Sequence, residues 1–312
     1  MTNNNPAFGA DLQPFMGIPS FMRLPVTRDL KGADAAILGV PFDSGTTYRS
    51  GARFGPRKIR EASLMLWGYN AAMHVKPLDK LKVVDFGDAP VVPTSIERTM
   101  EIIRDTALEV IQHNTTLISL GGDHSIALPL LRAHAEKYGP LAVIHIDAHL
   151  DTWPSEFEGR PYSHGTPFRR ALEEGLIRKG EYLQVGIRGP VDDARDYQEA
   201  RDLGAHTLTA EEVHEKGVRY VIEEINRRIK GTLYLSLDID SADPAFAPGT
   251  GTPEVGGLTS HQLLQLVRGL KGLDIVGYDL VEVSPPYDHQ DITAILAANL
   301  VFEYLSLLAI KK

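Results

Sequence analysis

The sequence predicts an α/β fold in which a parallel sheet is covered on both faces by helices. Three observations carry that expectation. Short apolar runs recur along the chain, each edged by β-branched or turn-forming residues as buried strands are. Amphipathic stretches of helical period lie between them. No internal repeat, low-complexity tract or linker interrupts the alternation. Residues 31–312 therefore read as one domain, behind an irregular Pro- and Asn-rich N-terminal arm over residues 1–30 that is suited to lie against a neighbouring subunit.

In chain order, AAILGV (35–40) is the first strand, and the loop DSGTTYRSGARFGP (43–56) leads into the helical GPRKIREASLML (55–66). KVVDF (82–86) is a second strand, followed by the amphipathic SIERTMEIIRDTALEVIQH (95–113). TLISL (116–120) ends at GGDHS and passes into ALPLLRAHAEKY (127–138). LAVIHI (141–146), YLQVGI (182–187) and LYLSLDI (233–239) continue the set, with the helix GVRYVIEEINRRIK (217–230) before the last of them. SHQLLQLVRGL (260–270) is the next helix, DIVGYDLVEV (274–283) the seventh strand, and ITAILAANLVFEYLSLLA (292–309) the closing helix. Strands joined through helices pair in parallel, because the crossover brings the chain back to the same end of the sheet. The Gly- and Pro-rich loops 43–56, 243–257 and 284–288 each follow a strand, so they share the edge where function concentrates.

The composition is that of an ordinary globular protein: 43% of the 312 residues are apolar and 23% charged, enough for a substantial core. A formal charge of −9 argues against a nucleic-acid or anionic-membrane surface, and no basic cluster suited to phosphate occurs. The lack of cysteine excludes disulfides, thiol nucleophiles, zinc–thiolate sites and iron–sulfur clusters. The N-terminus has neither the positive start nor the apolar core of a signal peptide, and no run of about 18 apolar residues stands out as a membrane span. The expectation is a soluble cytoplasmic protein with neither nucleic acid nor membrane as partner.

Acids and histidines gather at three strand ends. Gly121-Gly122 turn the chain after TLISL and leave Asp123 and His124 where strand hands over to helix, facing the crevice in which open α/β sheets keep their ligands. The plain alternative makes Asp123 a helix cap and His124 an ordinary loop residue. LAVIHI runs into DAHLD, so Asp147, His149 and Asp151 stand at i, i+2 and i+4 and share one face of an extended segment. LYLSLDI ends with Asp238 and Asp240 at the same spacing. A lone DxD is more often a turn or cap than a ligand pair. Four carboxylates beside two imidazoles are another matter, since crowding them without a cation is costly. Two divalent ions would bring the set near neutrality and welcome a cationic substrate. Imidazole and carboxylate donors without thiolate favour Mn²⁺, with Ni²⁺, Co²⁺ or Zn²⁺ as alternatives. Two ions about 3.5–4 Å apart lower the pKa of a shared water, which makes metal-assisted hydrolysis the reaction class.

Other polar residues read as structural. His145 lies within an apolar strand and is expected to be a hydrogen-bonded core histidine. Asp85, Asp88 and Asp123 are expected to organise loops or to act as outer acceptors. The glycines of GTGTPEVGG let the backbone fold tightly, and that loop has neither the spacing nor the lysine of a phosphate cradle.

GGDHS (121–125), DAHLD (147–151), SHGTPF (163–168), SLDIDSADPAFAPGTGTPEVGG (236–257) and DLVEVSPPYD (279–288), in this order, resemble the ureohydrolases. That group includes arginase, agmatinase, guanidinobutyrase and guanidinopropionase. The likeness covers nearly the whole chain, from DSGTTYRSGARFGPRKIR onward, and is greatest to the agmatinase-like branch. It implies a three-layer αβα fold on a mainly parallel sheet, two Mn²⁺ per chain, and hydrolysis of a guanidino group to urea and an amine. By the same resemblance His124, Asp147, Asp151 and Asp238 would hold one ion, and Asp147, His149, Asp238 and Asp240 the other, with Asp147 and Asp238 as bridges. His164 would carry a proton to the leaving amine, and Glu282 would hold the guanidinium. The plain alternatives make His164 a cap and Glu282 a surface charge. The implied partners are a small cationic or zwitterionic guanidino substrate and further copies of the chain, in a homotrimer or homohexamer.

The ligand set does not choose among substrate tails. Agmatine ends in an ammonium, guanidino acids in a carboxylate and arginine in both. Tyr48, Arg49, Trp153, Arg160 and Tyr162 are the candidate tail readers, with Glu156 and Glu158 offering the opposite charge. An amidine or formimino hydrolase using the same metals, and a metal-binding homologue without activity, stay open at this point.

Overall fold

In the computed structural model, which describes residues 13–312, eight strands form one sheet. They are β1 (Ala35–Gly39), β2 (Val83–Asp88), β3 (Thr116–Leu120), β4 (Leu141–Ile146), β5 (Ile177–Ile187), β6 (Ala205–Thr209), β7 (Leu233–Asp238) and β8 (Ile275–Val281). Their order across the sheet is β2-β1-β3-β8-β7-β4-β5-β6, and every pairing is parallel. The expectation of a mainly parallel sheet thus becomes a wholly parallel one. The inner strands are buried on both faces, which is why they read as continuous apolar runs.

Helices cover both faces. On one side lie α1 (Gly55–Ser63), α2 (Pro77–Lys80), α7 (Ala210–Arg228), α8 (Ser260–Gly269) and α9 (Ile292–Lys311). On the other lie α3 (Ile96–Ile111), α4 (Ala127–Tyr138), α5 (Pro167–Glu173) and α6 (Ala194–Asp202). Each side has its own core, the first including Ile59, Val213, Leu263 and Leu300, the second Ile103, Leu130, Phe168 and Ala200.

Several elements depart from the sequence reading. Strand β6 has no apolar run because it is an edge strand: Ala205 and Leu208 are buried, while His206, Thr207 and Thr209 are only partly so. Helices α5 and α6 are too short and polar to show a clear period. Helix α7 begins at Ala210, seven residues before the expected start, under a capping box between Thr209 and Glu212, and kinks at Gly217, whose φ is 78°. The segment Ile292–Lys311 is long and apolar enough to cross a membrane by length and composition, with a mean hydropathy of 1.8, contrary to the expectation that no such run exists. Of its most apolar 18-residue stretch, 78% is buried inside the protein. Helices α1, α2 and α8 all pack on α9, and a helix walled in this way is apolar all round.

Part of the expected N-terminal arm packs on its own chain. Phe21 and Met22 are buried, with Phe21 N donating to Asp85 Oδ2 at 2.9 Å and Met22 N to Ser63 Oγ at 2.8 Å. Residues 1–12 of that arm lie outside the described residues.

One register position is polar across six neighbouring strands. Ser119 on β3 pairs with Asp279 on β8, Asp279 with Ser236 on β7, Ser236 with His145 on β4, His145 with Gln184 on β5, and Gln184 with Thr207 on β6. This row crosses the sheet just before the strands' carboxyl ends.

Candidate metal centre

The four central strands of the sheet, β3, β8, β7 and β4, deliver the site. His124 opens a 3-10 turn just after β3, and Asp147, His149 and Asp151 follow β4. Asp238 ends β7, Asp240 lies in the 3-10 turn Ile239–Ser241, and Glu282 follows β8. His164 comes from the long loop between β4 and α5. The Gly121-Gly122 turn is needed because the chain there presses on its neighbour: a Cβ at Gly122 would lie 1.7 Å from Phe42 O. Asp123 does cap the turn, accepting from Ser125 N at 3.0 Å and Gly45 N at 2.7 Å.

The acids close around two imidazole nitrogens. His124 Nδ1 lies 3.0 Å from Asp147 Oδ2, 3.0 Å from Asp151 Oδ2 and 3.2 Å from Asp238 Oδ2. His149 Nδ1 lies 3.5 Å from Asp147 Oδ1 and 3.1 Å from Asp240 Oδ2. Two groups of potential ligand atoms result, one containing His124, Asp147 and Asp151 together with His145, the other Asp147, His149 and Asp240. Asp147 belongs to both. Asp238 falls in neither, although it approaches His124. All of these side chains are buried except His149, which is partly so.

The charges are mutually dependent. Burial lifts Asp238 well above the usual carboxylate range, with Asp240 and Asp147 adding to it, and burial and Asp147 raise Asp151. Burial would lower His124, but Asp147, Asp151 and Asp238 outweigh it and hold the imidazole well above its usual value. Crowded and buried, the acids disfavour one another's ionised form, and a bound cation would relieve this.

His124 is held from behind. Its Nε2 lies 2.8 Å from Ser236 Oγ, Ser236 donates to Asp279 Oδ1 at 2.6 Å, and Tyr234 donates to Asp279 Oδ2 at 2.7 Å. The turn carrying Asp240 is clamped by Arg188, whose Nη2 donates to the carbonyls of Asp240, Ala242 and Glu254 at 2.8, 3.2 and 2.6 Å. This ties a candidate ligand to the 243–257 loop.

His164 and Glu282 form a pair beside the cluster. His164 Nδ1 is 3.0 Å from Glu282 Oε1, which also accepts from His124 N at 2.9 Å. Glu282 Oε2 is buried without a partner. At φ 63° Glu282 has left-handed backbone, which a glutamate adopts only at a cost of roughly 1–3 kcal/mol, and its N–H donates to Gly122 O at 2.8 Å. Asp151 is likewise left-handed, at φ 50°. Burial lowers the His164 pKa, but Glu282 more than compensates and brings it to about 9. Burial and the nearby Glu282 lift Asp123 to about 7.

A cavity of about 160 Å³ opens over the cluster, lined by Thr47, His149, Asp151, His164, Asp238, Asp240 and Thr252. Sequence reasoning passed over Thr47 and Thr252, since a threonine in a loop carries no periodic or motif signal. The expected tail readers are dispersed. Trp153 donates from Nε1 to Asp196 Oδ2 at 3.3 Å and covers Gly165, next to His164. The Arg49 guanidinium lies 5.1 Å from the rings of both Tyr48 and Tyr287. Arg160 and Tyr162 line a separate groove of about 370 Å³ with Ser44, residues 93–97 and Phe157. Glu156 is engaged by Ser163 Oγ.

The family model described as the Arginase family matches residues 33–306. The chain belongs to the arginase family. It is 46% identical to a guanidinopropionase from Pseudomonas aeruginosa, over 99% of this chain and 98% of that one. It is 43% identical to a guanidinobutyrase from the same organism, over 98% and 97%. The structure of proclavaminate amidino hydrolase from Streptomyces clavuligerus superposes with a TM-score of 0.90 at 43% identity, covering 95% of this chain and 98% of that one.

The donors in this arginase-family chain fit divalent ions. His124 Nδ1 is buried and makes no hydrogen bond of good geometry despite three carboxylates at 3.0–3.2 Å, so it points a lone pair or a proton at a place where oxygens converge. An ion of hard to borderline character suits that set of nitrogen and oxygen donors.

Proposed function

We propose that this chain hydrolyses the guanidino group of a linear guanidino compound to urea and an amine, with two divalent ions, Mn²⁺ by preference. The observation that carries the reading is the presence of Asp147 in two separate groups of converging His and Asp atoms. In it, His124, Asp147, Asp151 and Asp238 hold one ion, and Asp147, His149, Asp238 and Asp240 the other. Ions held there lower the pKa of water and stabilise negative charge as it develops.

The chain's own groups do the rest. Glu282 attracts the guanidinium carbon's cationic group through the oxygen that has no other partner. His164 is fixed at Nδ1 by Glu282, leaving Nε2 to exchange the proton. That atom is 2.7 Å from Thr47 Oγ1, which can accept its hydrogen, and 3.1 Å from Thr47 N, which donates to its lone pair. The rotatable Thr47 hydroxyl suits either protonation state, while the fixed Thr47 N–H favours release of the proton from Nε2, as a carrier to the leaving amine requires.

For the substrate we favour an ω-guanidino acid such as 4-guanidinobutyrate, or agmatine, over arginine. The two Pseudomonas relatives are named for guanidino acids. Arg49 offers a cation in the same loop as Thr47, while Glu156 is already taken by Ser163. A homotrimer or a hexamer built from trimers is the proposed assembly. Metal analysis after reconstitution tests the centre: two equivalents per chain support it, and full activity with a ceiling of one contradicts it.

A further inference from the structure

His145 lies close enough to His124, Asp147 and Asp151 to be taken for another ligand. The hydrogen bonds behind it decide otherwise. Leu150 O is a carbonyl and can only accept, so the Gln184 atom 2.7 Å from it must be the amide nitrogen. The other end of that amide is then an oxygen, and Thr207 Oγ1, 2.8 Å away, must donate to it. The second amide hydrogen goes to Tyr182 Oη at 3.1 Å. His145 Nδ1, 3.0 Å away, is the one other partner of that buried hydroxyl among the described residues, so the Tyr182 hydrogen goes to it. His145 must carry its hydrogen on Nε2, and Nε2 is the atom 2.6 Å from Asp147 Oδ2. A ring nitrogen bearing a hydrogen has no lone pair to offer an ion.

We infer that His145 is a positioning residue, the last member of a one-way relay from Thr207 through Gln184 and Tyr182 that fixes the Asp147 carboxylate. The inference rests on the proposed two-ion centre, in which Asp147 is shared. His145 holds Oδ2 while the backbone N–H of His149 holds Oδ1 at 2.6 Å, so rotation of the carboxylate breaks one bond or the other. Each oxygen keeps lone pairs free for an ion. The ring itself is pinned by Phe168, stacked at 3.9 Å between centroids, and by Tyr182 on β5. His145, Tyr182 and Gln184 are all buried, so no water replaces a lost member. The relay spans β4, β5 and β6 because His145, Gln184 and Thr207 are register partners, and it accounts for the polar side chains in that half of the row.

The test is calorimetric titration of metal-stripped protein with Mn²⁺, beside the thermal midpoint of the ion-free form. Tyr182→Phe keeps the ring and removes the hydroxyl, and is expected to weaken both ions by about 10–100-fold. Tyr304→Phe is the control, since that hydroxyl is buried without a partner, and its ion affinity should match wild type. His145→Gln can place an amide N–H near Asp147 and should retain more affinity than His145→Leu. A merely structural role would shift the ion-free midpoint and leave affinity untouched. Wild-type affinity in Tyr182→Phe and His145→Leu would overturn the relay while leaving the two-ion centre standing. Wild-type protein that takes up no Mn²⁺ would overturn the centre, and the relay with it.

Discussion

His164 and Glu282 meet at 3.0 Å from two loops separated by 118 residues, and the pair is buried against the backbone of His124. A histidine so paired links proton balance, folding and catalysis at one point. Its raised pKa has a definite sign for stability.

In ion-free protein the pair should stabilise the fold most at low pH. The folded pKa, about 9, lies above the ordinary imidazole value of 6.5. The contribution is therefore present in full below about pH 6.5 and is lost as pH rises through 9, with a magnitude of roughly 3 kcal/mol. Denaturant unfolding between pH 6 and 10 should show this fall. In His164→Asn the fall should be smaller but not abolished, since the acids around His124 hold that imidazole above its usual value too, and an unchanged slope would remove His164 as a source.

Catalysis should separate the two residues. His164→Asn is expected to keep its metal and to lose on the order of 10²-fold or more in kcat, the usual worth of a positioned proton carrier. Glu282→Gln should raise KM, because the bound guanidinium loses its counter-charge, and lower kcat as well, because His164 loses the carboxylate that fixes its Nδ1 for proton transfer. Steady-state kinetics on metal-loaded variants reads both, and wild-type turnover in His164→Asn would end the shuttle role.

The two ions should depend unequally on their acids. Asp238→Ala is expected to lose both more readily than Asp151→Ala, since the first carboxylate is shared and the second is terminal. Metal content after dialysis against a weak chelator gives the comparison, and equal retention would argue against a bridge at Asp238.

The turn before His124 should tolerate no side chain. A Cβ on Gly122 would overlap Phe42 O at 1.7 Å, so Gly122→Ala must shift backbone and should cost about 1–3 kcal/mol. Thermal unfolding beside metal titration should show stability and His124-dependent ion binding falling together. A variant as stable as wild type would mean that the turn relaxes freely.

The candidate ligands were legible because Asp147, His149 and Asp151, and again Asp238 and Asp240, cluster locally at or just past strand ends. The extended period expected of them is not what the chain adopts. It bends at 148–149, is left-handed at Asp151 and enters a 3-10 turn at Asp240, sending His149 and Asp151 to different groups. The central strands were legible for a related reason, since burial on both faces demands apolar runs. Strand β6 was not, because an edge strand with half-exposed His206 and Thr207 makes no such demand. Nor was the role of His145: a core histidine and a relay histidine look alike until the register sets Gln184 and Thr207 beside it. Thr47 reaches His164 across 117 residues, a contact that no local pattern announces. The left-handed backbone at Glu282 is also a tertiary property, held by Gly122 and His124.

Urea release measures the central claim most directly. Mn²⁺-reconstituted protein should form urea and amine in equal amounts from 4-guanidinobutyrate, 3-guanidinopropionate or agmatine, with at least one of these exceeding arginine in kcat/KM. Arginine as the best substrate would contradict the proposed specificity, and no urea from any of the four, with both ions bound, would contradict the proposed reaction itself.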